Sequence, residues 1–377
     1  VAFAPKGFLS FSKAMPVWIK DKLFQKNLLL NKLKNHDKNY DKNKENLFFS
    51  DHHLSHAASA FYPSPFKEAV VITADGVGEW ATTTVAVGSE NTLEIKKEIH
   101  FPHSLGLLYS AFTYYSGFKV NSGEYKLMGL APYGKPNYID QILKIIDIKE
   151  DGSFKLDQSY FSYATGLTMT NSKFNNLFGQ KPRDPKLEKL TQFHMDIASS
   201  IQKITEDVMM KLARSARKEY GLKNLCLAGG VALNCVANGK ILKEKIFENI
   251  WVQPAAGDAG GALGAALALW YIDQGNKRNV NANDDMCGSY LGPEYTQDEI
   301  EKELIRLGAN FKKLNEEEII FETSNDLSKG EAIGWFQGRM EFGPRALGGR
   351  SILGDPRSPN MQKNLNLKVK YRESFRP

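Results

Sequence analysis

Leu225-Cys-Leu-Ala-Gly-Gly-Val-Ala232 is an apolar run that breaks into two glycines and continues with helix formers. The pattern returns at Ile250-Trp-Val-Gln253, which runs into Pro254-Ala-Ala-Gly-Asp-Ala-Gly-Gly261 and then an alanine-rich stretch to Tyr271. A short apolar run bounded by turn residues reads as a buried strand, and the small residues after each turn read as a helix. Strand, glycine-rich turn and helix in series predict an α/β layered fold. The first of these helices is expected to begin near Ala232.

The segments upstream fit the same class. Ala69–Ala74 is apolar throughout, as in a sheet interior. Thr82–Gly88 and Leu93–His100 alternate and are β-branched, as strands do. Asp75-Gly-Val-Gly78 is the turn between the first two. Ser104–Ser116 has helical spacing and a serine cap. In Gln192–Tyr220, Phe193, Ile197, Ile201, Ile204, Val208 and Leu212 recur at helical spacing. Residues 1–46 read as amphipathic helix around Trp18, Ile19, Leu23, Phe24, Leu28 and Leu29. They lead into the Lys/Asn-rich run Asn31–Asn46, taken as a solvated loop or helix face. Residues 150–190 are polar and poorly patterned, which suggests an insertion or lid. Past Cys287-Gly288 the chain is linker-like, with a helix expected over Glu316–Lys329 and a strand over Ala332–Phe336.

Composition bounds the function. With 377 residues, 42% hydrophobic and 24% charged, the chain has the make-up of a soluble globular protein of two or three domains with a large core. Net charge is +6 and the pI is about 8.9, which suits anionic small molecules. No basic stripe with interleaved aromatics marks a nucleic-acid binder. Cys226, Cys235 and Cys287 lack CxxC spacing, which suggests a reducing, cytoplasmic setting. The longest apolar run, Ala262–Ile272, is too short to span a bilayer, and no signal-peptide pattern is present. The start at Val1 and the abrupt end at Pro377 read as a fragment cut at both ends.

Three groupings carry chemistry. Ser50-Asp-His-His-Leu-Ser-His-Ala-Ala-Ser-Ala60 opens with capping residues and puts His52 and His56 on one helix face, with His53 about 100° away. Two imidazoles and a carboxylate make an Fe, Mn or Zn site of the His/Asp type. Asp75, at a strand end, and Asp258, in a glycine-rich turn at a helix start, are both candidates. The alternative is a pair of ordinary helix histidines. The turns at Gly229-Gly230 and Gly257–Gly261 each open a helix, where N–H groups and the dipole favour phosphate; plain tight connections would look the same. Arg339, Arg345 and Arg350 lie among glycines, a proline and apolar neighbours, with Lys370 and Arg372 beyond. Guanidinium groups there suit phosphate or carboxylate, a solvated basic loop being the other reading. No Ser/His/Asp or Cys/His triad can be placed, and Cys226 reads as strand core.

Taken together, DHHLSHAASAFYPSPF, ADGVGEWATT, HSLGLLYSAFTYYSGF, GEYKLMGLAPYG, LAGGVALNCVANGK, QPAAGDAGGALGAA and WFQGRMEFGPRALGGRSILGDPR resemble the carbamoyltransferases of the nodulation-protein-U and cephamycin O-carbamoyltransferase family. The resemblance implies an actin/sugar-kinase/Hsp70-like ATPase fold over residues 1–310, N-terminally truncated and similar to tRNA threonylcarbamoyl transferases. The start of a YrdC-like α/β domain would follow over residues 311–377. It implies an ATP-dependent carbamoyltransferase. The YrdC-like part would make carbamoyl-adenylate from carbamoyl phosphate and ATP with Mg2+. The first domain would move the carbamoyl group to a hydroxyl of a small molecule such as an antibiotic, an oligosaccharide or another secondary metabolite.

Carried onto this sequence, the ligands of Fe2+ or another divalent metal would be His52, His56, Asp75 and Asp258. Gly229, Gly230, Asn234, Gly257 and Gly261 would line the adenylate. Arg345, Lys370 and Arg372 would hold ATP and carbamoyl phosphate, and Lys126 or Glu124 would orient the acceptor. No nucleic acid or membrane partner is expected, and a homodimer is left open. The family's glycine-rich strand-turn-strand with its histidine would precede Val1, and most of the YrdC-like domain would follow Pro377. The function therefore belongs to the longer protein. The rivals are a threonylcarbamoyl transferase acting on tRNA, against which the modest charge argues, and an actin-fold module that binds nucleotide without metal or chemistry.

Overall fold

The two strand–turn–helix units lie side by side in one five-stranded sheet. The computed structural model describes residues 3–41 and 47–376, so the end of the Lys/Asn-rich run, residues 42–46, lies outside the described residues. The chain opens with helices α1 (Phe8–Val17) and α2 (Gln25–His36), joined through a π-turn at Trp18–Lys22. Helix α3 (His52–Phe61) leads into strands β1 (Glu68–Ala74), β2 (Ala81–Ser89) and β3 (Thr92–His100). Helices α4 (Leu105–Tyr115), α5 (Glu124–Leu130) and α6 (Ile139–Ile142) precede the hairpin β4 (Ile146–Ile148) and β5 (Phe154–Leu156). Then come α7 (Ser172–Phe178), α8 (Gln192–Tyr220), β6 (Asn224–Ala228), α9 (Cys235–Lys243), β7 (Asn249–Val252) and α10 (Asp258–Ala268). The C-terminal part holds α11 (Gln297–Arg306), α12 (Glu316–Ser328), β8 (Ile333–Phe336), β9 (Arg350–Leu353) and α13 (Met361–Asn364).

The sheet order is β3-β2-β1-β6-β7. β1 pairs antiparallel with β2, Ile72 facing Val85, and parallel with β6, Val71 facing Cys226. β6 in turn pairs parallel with β7. Both faces of β1 and β6 are covered, which is why these strands read as unbroken apolar runs. Val70, Ile72, Leu225 and Leu227 join a core with α4, α5 and α8 on one side. Ala69, Val71, Cys226 and Ala228 join a second core with α3 and α10 on the other. Each fully buried aliphatic side chain contributes about 1.5–3 kcal/mol to this sandwich. The carboxyl ends of β1, β6 and β7 all open into glycine-containing turns on one edge.

Several expectations need correction. The α9 helix begins at Cys235, because a 3-10 turn at Gly230–Leu233 intervenes and Asn234 caps the helix. Residues 150–190 contain part of the β4–β5 hairpin and all of α7, with Phe154, Leu156, Phe161, Phe174 and Phe178 buried in the larger core. They are body rather than lid; the aromatic spacing was masked by polar turns. Helix α11 forms within the stretch read as linker, started by the Thr296/Glu299 capping box. The helices expected near the N-terminus are present, but α1 and α2 bury no residue among those described.

Arg278 ties the segment after α10 back to α3. Its buried guanidinium donates to the carbonyls of Phe61, Tyr62, Ser64, Phe66 and Glu90 at 2.8–3.3 Å. A cation there also complements the C-terminal end of the α3 dipole. Among the described residues no helix is long and apolar enough to cross a membrane.

Candidate metal centre

Helix α3 starts at His52, with the Glu79 carboxylate accepting the His52 N–H at 3.1 Å. Successive turns of α3 place His52 and His56 on one face, their ring centroids 4.6 Å apart. β1 ends at Ala74, so Asp75 leaves the sheet beside that face. Its N–H donates to Thr82 O at 2.9 Å and its carbonyl accepts the Ser104 hydroxyl at 3.0 Å. Asp258 is the first residue of α10. Helix α10 runs close along α3: a Cβ on Gly264 would come within 1.7 Å of Ser55 O. That approach requires glycine, and it sets Asp258 beside the two imidazoles.

The four side chains converge. His52 Nε2 lies 2.9 Å and His56 Nε2 3.2 Å from Asp75 Oδ2, and the two Nε2 atoms are 3.1 Å apart. Asp258 Oδ1 is 3.7 Å from each Nε2. One donor atom from each residue lies within 4.8 Å of the others. Asp75 Oδ1 accepts the Gly230 N–H at 3.1 Å, leaving Oδ2 for the histidines.

Protons alone satisfy this grouping poorly, because two ring nitrogens face each other and share one carboxylate oxygen. His52 has a raised pKa, first through its hydrogen bond to Asp75 and against the pull of burial. Burial alone would push the Asp75 carboxyl up; hydrogen bonds from His52 and His56 more than offset it and hold the group well below the usual carboxylate range. Two imidazoles and two carboxylates suit iron, manganese or zinc, and the donor set fits such an ion. Asp258 is exposed, with a side chain 83% accessible, so the centre opens to solvent on that side. His53 turns away, its Nδ1 2.6 Å from Thr73 Oγ1, and burial pushes its pKa down to about 4.

The expected nucleotide turns border this centre. Gly229 has φ +86°, and a Cβ there would lie 2.3 Å from Ala74 O. A Cβ on Gly230 would sit 2.8 Å from Asp75 Oδ1. Gly257 borders open space, and a Cβ on Gly261 would meet only His56, at 4.0 Å. The Asn234 side chain points inward, capping α9 through the Ala237 N–H and pairing with Gln202.

The remaining candidates make their contacts elsewhere. Glu124 accepts from the Ser110 hydroxyl at 2.7 Å and from the N–H groups of Asn121 and Gly123. Lys126 pairs with Glu373 at 2.8 Å. Arg345 reaches Leu233 O at 3.5 Å, which lays the arginine loop over the turn before Asn234. Arg372 donates to Asn366 Oδ1. Lys370 has a lowered pKa, through burial first and then the charges of Arg372 and Arg376.

Sequence reading missed Glu79 and Gln202. Glu79 was signalled only by a carboxylate just beyond the Asp75–Gly78 turn. Gln202 and Glu206 are polar residues four apart in α8, both buried.

Comparison with known proteins places the chain in a family. The carbamoyltransferase N-terminus family model matches residues 1–267, and the carbamoyltransferase C-terminus model matches residues 298–377. The uncharacterised protein sll1178 of Synechocystis is 58% identical over 380 residues, covering 100% of this chain and 62% of that protein. Nodulation protein NolNO of Sinorhizobium fredii is 38% identical over 355 residues, covering 93% of this chain and 49% of that protein. Nodulation protein NolO of Bradyrhizobium diazoefficiens is 37% identical over 331 residues, covering 87% and 57%. The chain thus spans about half to three-fifths of the length of these relatives. Among solved structures, T. kodakarensis HypF aligns with 67% of this chain and 40% of its own at 15% identity and a TM-score of 0.36.

Proposed function

Because the chain belongs to the carbamoyltransferase family, we propose that the α3–β1–α10 centre is where the longer protein transfers a carbamoyl group to a hydroxyl of a small molecule. The observation that carries this reading is the convergence of His52, His56, Asp75 and Asp258 beside two glycine turns at strand ends. Ligands of open α/β sheets bind at such carboxyl ends.

In this reading the N-terminal part, residues 1–310, is an actin-like unit, and residues 311–377 begin a YrdC-like unit. The donor is carbamoyl-adenylate, made from carbamoyl phosphate and ATP with Mg2+. His52, His56, Asp75 and Asp258 hold a divalent ion, Fe2+ by the resemblance, which when bound supplies Lewis acidity to the transfer. The N–H groups at the start of α10, around Gly257 and Gly261, take the nucleotide's phosphate, while Gly229, whose own N–H donates to Ala256 O at 2.8 Å, lines the site by making the tight turn against Ala74. Gly230 spends its own N–H on Asp75. Asn234 contributes by setting the turn, since its side chain is used internally. Arg345, Lys370 and Arg372 bring cationic donors to the anionic substrates. Glu124 and Lys126 act from outside the ligand quartet, by shaping α5 and holding the Glu373 segment against it. The acceptor oxygen forms a bond to the carbamoyl carbon, the bond from that carbon to AMP breaks, and the hydroxyl proton is released.

The test uses the longer protein with ATP, carbamoyl phosphate and candidate acceptors, with mass spectrometry for added carbamoyl. His52→Ala and His56→Ala are expected to abolish transfer and metal content together. Undiminished transfer in either variant refutes the role of the centre. ATP binding by a protein that retains no metal and transfers nothing supports a plain nucleotide-binding module instead.

A further inference from the structure

We propose that Gln202 is a positioning residue for the metal centre, acting through Asn234 and the Gly230 turn on Asp75. This rests on the metal reading above. Gln202 lies in α8 one turn before Glu206, on a helix face turned into the protein, and it is 5% exposed. Its carboxamide uses its full hydrogen-bonding capacity. Oε1 accepts from the Tyr109 hydroxyl at 3.0 Å and from Asn234 Nδ2 at 2.9 Å. Nε2 donates to Glu206 Oε1 and to Asn234 Oδ1, both at 3.0 Å. Glu206 is itself buried and paired with Lys240.

This arrangement has a direction. Glu206 is paired with the Lys240 ammonium, and a carboxylate accepts only, so the Gln202 NH2 must face it. The other face of the amide then meets Asn234 in a reciprocal two-bond pair, which settles which way the Asn234 amide points. Asn234 Oδ1 is left aimed at the Ala237 N–H, 3.1 Å away, and caps α9. Asn234 also closes the 3-10 turn, its N–H donating to Val231 O at 2.9 Å. That turn begins at Gly230, whose N–H holds Asp75 Oδ1. A buried polar network fully satisfied in this way is rigid, and a partly satisfied one is costly. The network lies under the turn and touches none of the four ligands. Its effect on the centre is therefore through the placement of one peptide N–H.

The experiment measures Mn2+ affinity of the full chain by loss of the free-ion EPR signal, together with the thermal midpoint. Gln202→Leu keeps the bulk and strips the amide. Phe174→Leu, in the core against Tyr115 and Phe178, is the control for general destabilisation. Losing an outer partner of a metal site costs roughly 10–100-fold in affinity; Gln202 stands behind that partner, so a loss of about tenfold, the lower end, is expected for Gln202→Leu but not for Phe174→Leu. Unchanged affinity in Gln202→Leu, or an equal loss in both variants, overturns the proposal. If Gln202→Leu does not fold, Tyr109→Phe removes one bond of the same amide; a smaller loss in the same direction is expected, and none overturns the proposal. A wild-type chain that binds no Mn2+, Fe2+ or Zn2+ defeats the metal reading and this inference together. Normal wild-type binding with indifferent variants defeats this inference alone.

Discussion

Asp75 Oδ1 accepts the backbone N–H of Gly230 at 3.1 Å, so the turn after β6 orients a carboxylate delivered by β1. The other oxygen, Oδ2, is thereby presented to His52 and His56. The parallel pairing of β1 with β6 makes the relationship possible, because both strands end at the same edge. Asp75→Asn keeps the shape but lowers the charge of the centre and puts an NH2 against either Gly230 or the histidines. Its Mn2+ affinity should fall by more than the roughly 100-fold upper cost of an outer partner. Gly230→Ala should act in the same direction, since its Cβ would fall 2.8 Å from Oδ1. Equilibrium titration checks both, and wild-type affinity in Asp75→Asn contradicts the assignment of ligands.

The approach of α10 to α3 at Gly264 yields a second expectation. A Cβ there would meet Ser55 O at 1.7 Å and Ser59 N at 2.9 Å, both backbone atoms of a buried helix. Gly264→Ala must push the helices apart, at a cost of about 1–3 kcal/mol for an overpacked contact. The displacement carries Asp258 away from the imidazoles. Denaturant unfolding should show the lost stability and Mn2+ titration the lost affinity. Stability loss with intact affinity would place Asp258 outside the ligand set.

Much of this arrangement was legible because local signals and tertiary demands agree. Gln192–Tyr220 matches α8 at both ends, where periodicity is long and Gly221 stops the helix at φ +69°. His52 and His56 could be paired from spacing, and Asp75 and Asp258 could be nominated from a strand end and a glycine-rich turn, but joining both carboxylates to the pair needed the resemblance. Nothing in the spacing of residues 52, 75 and 258 says that β1 and α10 flank one helix; sheet order decides that. The start of α9 was misread because Ala232 and Leu233 are good helix formers and yet lie in the 3-10 turn Gly230–Leu233, held by the inward Asn234. Gln202 was invisible because two of its partners, Tyr109 of α4 and Asn234 at the cap of α9, are far away in the chain.

Arg278 gives a prediction about stability with no bearing on the ligands. Its five carbonyl partners lie on the end of α3, the loop after it and the β2–β3 turn. Arg278→Met leaves buried carbonyls unpaired, and at about 1–3 kcal/mol for each such group the loss should be on the order of 3 kcal/mol or more. Arg278→Lys should recover only part, because an ammonium cannot reproduce the planar fork. Urea unfolding measures both, and a change below ~1 kcal/mol in Arg278→Met would show that water replaces the clamp.

Glu341 offers the sign test in pH. Its carboxylate accepts the N–H groups of Leu347 at 2.7 Å, Gly349 at 2.8 Å and Arg350 at 3.3 Å, and so folds the arginine loop around itself. The Leu347 N–H, first among these, holds its pKa down to about 2, against about 4.3 for an unperturbed glutamate. A depressed folded-state pKa contributes stability that is complete above the unfolded value and is lost as pH falls through the folded one. The loop should therefore loosen between about pH 4.3 and pH 2, seen as falling amide protection factors, relative to the intrinsic exchange rate at each pH, at Leu347 and Gly349. Glu341→Gln should be the less stable protein at pH 7, and its deficit should shrink across that window. A deficit that stays constant from pH 7 to pH 2 would mean that the loop is held by its pairing with residues 289–293 and not by this carboxylate.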